Sequence, residues 1–337
     1  MNSFKSMSLK EKMIYLLTLV YLLPFFILIA ANMLFSMFQT TYMDLYLDTE
    51  KPLYKSDHPI LLIALVLFLI AGLTYCFKKK EITTEICSAF EKFSLIWAAL
   101  ISLFIIFLFR VRVACDSAYL SDIAIDFLNG DYSSLTGNGY LVHYPHQLGM
   151  IALLEVIYAV FGIENYTVLQ FLNVIAIVST IYYLHRISDE MFHKPQIQIL
   201  LSLLCIGLLP LYLYTTFIYG DIPSLGLIVP AVYYIVRYLN TQKKIYSIPA
   251  IVLMTLSMEL KSNSSIILVA AIIILILHMI CHKDKFVVLF LLLLIGTPYI
   301  TNTAVNTCYA HAAKLDHIPS GIPKAAWIAM GLQSNDY

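Results

Sequence analysis

Ten apolar runs decide what this chain can fold into: Met13–Met37, Ile60–Phe77, Phe93–Phe109, Leu148–Gly162, Tyr166–Leu184, Ile197–Ile218, Ile222–Leu239, Ser247–Met258, Ser264–Cys281 and Phe286–Thr301. A helix crossing a ~30 Å hydrocarbon core needs about 20 apolar residues at 1.5 Å each. The 337 residues are 60% hydrophobic and 12% charged, against roughly 25% charged in a soluble domain. One soluble core could not bury that much apolar surface. The fold class is therefore all-α, a polytopic integral membrane protein, and the lipid bilayer is its first partner. Bases and acids balance at 21 each, so net charge implies no nucleic-acid partner. The first run is too long for a signal-peptide core and lacks a small-residue cleavage site, so it is expected to stay as a signal anchor. Cys76, Cys87, Cys115, Cys205, Cys281 and Cys308 form no CxxC or metal-ligand pattern and read as small apolar packers.

Charge along the chain orients the spans. With the lysine-bearing N-terminus cytoplasmic, the first helix exits to Asp44, Asp48, Glu50 and Asp57 and the second returns to Lys78-Lys79-Lys80, as the positive-inside rule requires. The third helix exits again and makes Arg110–Gln147 external. At 1.5 Å per residue Leu148–Gly162 covers only ~22 Å, and it carries Glu155 at its midpoint, where a carboxylate is costly. Read as interfacial or re-entrant, it leaves about nine transmembrane helices and one long external loop containing amphipathic helices. The later basic loops, Arg186–Lys194, Lys243-Lys244 and Lys283–Lys285, then fall inside. The expected organisation is a transmembrane hairpin over 1–92, a transmembrane core over 93–301, and an external, incomplete C-terminal segment over 302–337. A multi-pass location in the plasma membrane with an external active face follows.

On that face, Asp116, Tyr119, Asp122, Asp126 and Asn129 recur at three- and four-residue steps and share one side of a helix that Gly130 is placed to end. An amphipathic surface helix explains this stripe. It does not explain Asp116, which emerges at the end of a span beside a low-dielectric border. Arg110 and Arg112 are two of only four arginines and lie on the side where positive charge is disfavoured. They either snorkel to headgroups or bind an anion, and Lys261 is a second candidate for the same anion. His143 and His146 lack a visible third metal ligand. Asp221, in Tyr219-Gly220-Asp221-Ile222-Pro223, suits a helix N-terminus and is open to a second role.

The order of these features resembles a family. An aspartate just after an outward span, then Tyr119, Ala124 and a Gly130 turn, is similar to the first external loop of GT-C membrane glycosyltransferases. Tyr144-Pro145-His146-Gln147-Leu148-Gly149, running on to Phe161-Gly162, looks like the "YPP-L … LFG" segment of the dolichyl-phosphate-mannose-protein mannosyltransferase-like branch, and Asp221 stands where that family has its second acidic loop. The resemblance spans Phe93 to Cys281. It implies transfer of a sugar from a polyprenyl-phosphate donor to a glycan, lipid or protein acceptor in cell-surface glycan synthesis. Asp116 matches the family's catalytic aspartate. Arg110, Arg112 and Lys261 would hold the carrier phosphate, Asp221 would orient acceptor or cation, and Tyr119, His143 and His146 would line the substrate site. No cofactor is called for. A divalent cation would fit the family, but Asp116 is followed by Ser117 and no DxD pair is present. A multi-spanning transporter or lipid-linked-glycan flippase is the alternative, with Pro210 and Pro230 as helix breakers. A polysaccharide polymerase, relying on Arg110 and Arg112, is another.

Overall fold

A computed structural model describes residues 9–42, 53–79, 82–109, 113, 115–323, 325–326 and 329. They form two compact units that divide between Glu81 and Ile82. In the first, α1 (Leu9–Phe38) runs into a two-stranded antiparallel ribbon, β1 (Gln39–Tyr42) and β2 (Leu53–Ser56), followed by α2 (Pro59–Lys79). Gln39 pairs with Ser56 and Tyr42 with Leu53. The Asp57 amide donates to the Phe38 carbonyl, closing the ribbon's base. The described side chains of α1 from Thr18 to Ser36 are exposed, which for Leu, Ile and Phe means a lipid-facing surface.

The second unit opens with α3 (Thr84–Leu108), whose N-terminus is capped by the Thr83 hydroxyl accepting from the Ile86 amide. Then come α4 (Asp116–Leu128), the short α5 (Tyr140–His143), α6 (Leu148–Phe161), α7 (Tyr166–Phe192), α8 (Pro195–Gly207), α9 (Leu209–Leu213), α10 (Asp221–Thr241), α11 (Ser247–Leu260), α12 (Ser265–His282) and α13 (Phe286–Ala312). At the centre α7 packs on α3 and α10, α10 on α11, and α11 on α13, while α4 lies against α6. Gly226 of α10 abuts Ala176 of α7 so closely that an added Cβ would strike it, which explains how these two backbones meet.

Among the described residues six helical stretches are long and apolar enough to cross a bilayer: Thr18–Phe38, Thr84–Leu108, Tyr166–Phe192, Asp221–Thr241, Ser262–His282 and Phe286–Ala312. Two bent pairs would raise the number to eight: Ser133–His143 with Pro145–Phe161, bent by 100°, and Pro195–Gly207 with Leu209–Thr216, bent by 50°. The second break falls just before Pro210, as its ring requires. One run counted among the nine expected spans falls short: α11, at 14 residues, reaches only ~21 Å, whereas α2 runs 21 residues from Pro59 to Lys79. Helix α13 instead continues eleven residues past the end of its apolar run at Thr301, to Ala312.

Candidate functional site

The site is built around the first residue of α4. Cys115, just before it, has φ 51° and ψ −134°, a conformation that costs a non-glycine residue on the order of 1–3 kcal/mol. The strain is sustained because α4 is firmly docked. Leu120, Ile123, Ala124 and Phe127 are buried, and the Ser121 hydroxyl lies 2.8 Å from Tyr158 Oη and 3.1 Å from Tyr166 Oη. The opposite face, with Asp116, Tyr119, Asp122, Asp126 and Asn129, is exposed as its periodicity predicts. Gly130, at φ 80°, ends the helix.

Asp116 is not simply solvated. Tyr219 Oη donates to Asp116 Oδ2 across 3.4 Å, and Gln147 Nε2 donates to that same phenol oxygen. The Tyr140 hydroxyl also engages Asp116. Burial first, then Tyr219 and Asp116, push the Tyr140 phenol well above its ordinary range. Burial and the Asp116 charge push Tyr219 up to about 12. Both are therefore neutral donors at physiological pH. Tyr140 stacks on Tyr119 with centroids 5.2 Å apart and packs on Tyr144 at 4.8 Å, forming an aromatic wall beside the carboxylate.

On the other side of Tyr219, Lys261 Nζ sits 4.0 Å from the ring centroid and pairs with Asp221 Oδ2 at 3.0 Å. Two glycines bring Lys261 there. A Cβ on Gly149 would collide with the Glu259 carbonyl oxygen, and one on Gly220 with the Leu260 carbonyl oxygen. The end of α11 therefore packs directly on the backbone of α6 and on the turn before α10. His146 is exposed at the rim of the site, and partial desolvation, with Lys261 next, depresses its pKa against the opposing pull of Asp116. The His143 ring packs on Tyr144 at 6.3 Å, and its carbonyl accepts from the Ile322 amide at 3.1 Å, tying the segment after α13 to this loop.

Asp116, Tyr119, His143, His146, Asp221 and Lys261 thus gather from four separate stretches of chain. Arg110 and Arg112 lie outside the described residues. Sequence reasoning missed Tyr140, Gln147 and Tyr219, which join the charges. The available signal was Tyr219 two residues before Asp221, in a turn whose glycine is needed for close packing. Among the described residues no three His, Cys, Asp or Glu side chains converge as metal ligands. An apolar groove of about 700 Å³ is lined by Leu153, Ile175, Pro223, Tyr234, Leu253 and Leu260, the last of these adjoining Lys261 in sequence.

Fold and site together describe a multi-pass α-helical membrane protein with a polar, charge-bearing cluster around Asp116. Residues 146–301, just under half of the chain, match the family model for dolichyl-phosphate-mannose-protein mannosyltransferase. The matched stretch takes in His146, Asp221 and Lys261. It begins after Asp116, Tyr119 and His143 and extends past Cys281 to Thr301. No match was found among curated proteins or among solved structures.

Proposed function

We propose that the protein transfers a sugar from a polyprenyl-phosphate donor to an acceptor hydroxyl on the outer face of the membrane, with Asp116 as general base. The observation that carries this is the placement of a carboxylate and an ammonium on two sides of one tyrosine, beside an apolar groove and within a chain that matches a glycosyltransferase family. Asp116 takes the proton of the acceptor hydroxyl as its oxygen bonds to the anomeric carbon. The bond from that carbon to the phosphate oxygen breaks, and the electron pair leaves on the phosphate. Lys261, with Arg110 and Arg112, stabilises the charge that develops there. The groove runs roughly 16 Å along α10 from Pro223 to Tyr234 and suits a hydrocarbon chain whose phosphate sits at Lys261. Orientation with Asp116 outside follows from the basic loops and from a non-crossing α6.

The test is release of labelled mannose from a polyprenyl-phosphate donor by the purified protein in nanodiscs. Turnover in the wild type and its loss in Asp116→Asn support the proposal. A wild-type protein that binds the donor yet moves it across vesicles without cleaving it overturns the proposal in favour of a flippase.

A further inference from the structure

Tyr219 touches both charged groups on which the proposed reaction depends. The residue is 9% exposed and Gln147 is 4% exposed, so neither is a surface group that water could replace. The segment that carries it is held at three points. Asn173 Nδ2 donates to the Thr215 and Phe217 carbonyls at 3.0 Å each, the Phe217 ring packs on it at 5.5 Å, and Gly220 lies under the Leu260 carbonyl. The Gln147 amide occupies an acceptor site of the phenol oxygen, leaving its one O–H for Asp116. The ring's negative face is turned to the Lys261 ammonium.

We infer that Tyr219, aligned by Gln147, is a positioning residue with two separable duties: its hydroxyl holds the Asp116 carboxylate in register, and its ring holds the Lys261 ammonium. This rests on the glycosyl transfer proposed above and divides its two halves, acceptor activation and phosphate binding, within one side chain. The Asp221 pair alone would leave Lys261 free to swing about one contact. The ring supplies a second, fixed one.

The division predicts a split in the kinetics. Tyr219→Phe keeps the ring and loses the hydroxyl, so kcat falls about tenfold, as expected for a hydrogen bond to a charged group, while donor KM stays within about twofold. Tyr219→Leu loses both and also raises donor KM about fivefold. Gln147→Met lowers kcat alone. Because it acts through the same hydroxyl, the Gln147→Met, Tyr219→Phe pair is no worse than Tyr219→Phe by itself. The measurement is kcat and donor KM for polyprenyl-phosphate mannose with the full-length protein in nanodiscs, with a thermal melt for each variant. A fully folded Tyr219→Phe with wild-type kcat, or a Gln147→Met effect that multiplies with it, overturns the inference. If Tyr219→Phe does not fold, an unchanged kcat in Gln147→Met does the same. A wild-type protein without turnover overturns the transfer reaction itself, and this inference with it, which distinguishes the two failures.

Discussion

Two polar clusters lie inside the second unit of this largely apolar chain, and they differ in kind. The one around Asp116 is near the Tyr166 end of α7, where Tyr166 meets Ser121. The other is near the Arg186 end of the same helix, roughly 30 Å away at 1.5 Å per residue. There Glu91 pairs with Arg186, which also reaches Asp189 at 3.6 Å. Gln198 bonds Asp189 and the His185 carbonyl, and His185 reaches Ser94 at 3.2 Å and Gln198 at 2.8 Å. Each charge is answered by another group from α3, α7 or α8. In the Asp116 cluster Lys261 has Asp221, but Asp116 is exposed and, among the described residues, is met by neutral phenols. A closed charge network ties helices together, whereas an exposed carboxylate positioned by phenols is open to an incoming hydroxyl group. Under the proposed function the cluster around Asp116 serves chemistry and the one around Arg186 serves structure.

The largest effect that would break this contrast comes from paired substitutions. Asp116→Asn should lower turnover by about 10²–10⁴-fold with the melting temperature unchanged. Arg186→Gln should lower the melting temperature, since it strands Glu91 at a partly buried position, and leave kcat close to wild type. Similar activity losses from both would erase the distinction. Next in size, Lys261→Gln, Arg110→Gln and Arg112→Gln should each raise donor KM, by roughly 10- to 150-fold for a full charge-assisted phosphate contact. Donor titrations unaffected in all three would leave only headgroup snorkelling for these cations.

Smaller is the effect of filling the two close approaches. Gly220→Ala should cost on the order of 1–3 kcal/mol, because its Cβ meets a backbone carbonyl that cannot rotate away. It should also raise donor KM by displacing Lys261. A Gly220→Ala protein with wild-type stability and KM would show that α11 is free to shift. The smallest effect concerns pH. Because the folded pKa of His146 is depressed, the unfolded chain binds its proton first. Stability should therefore fall as pH drops below about 6.5, the ordinary histidine value. His146→Gln should flatten that part of the melting curve, and identical pH profiles for variant and wild type would remove His146 as the source of that dependence.

Much of this was legible before any coordinates. The α4 stripe from Asp116 to Asn129, its stop at Gly130, the break near Pro210 and the candidacy of Lys261 and Asp221 all follow from local periodicity and residue chemistry. The extension of α13 to Ala312 was not legible, because Asn302, Thr303, Asn306 and Thr307 end the apolar run without ending the helix. Nor were the partners of Asp116, since Tyr219 lies 103 residues away in sequence and nothing in either segment names the other.

The sequence by itself determined that this chain is a helical membrane protein, because the length and spacing of apolar runs is a one-dimensional property that a bilayer reads directly. Only the tertiary structure decided which carboxylate faces which cation, and that Tyr219 stands between them. The reason is physical. Such meetings depend on how closely backbones approach, here at Gly149 and Gly220, and close approach belongs to pairs of helices and not to either helix alone.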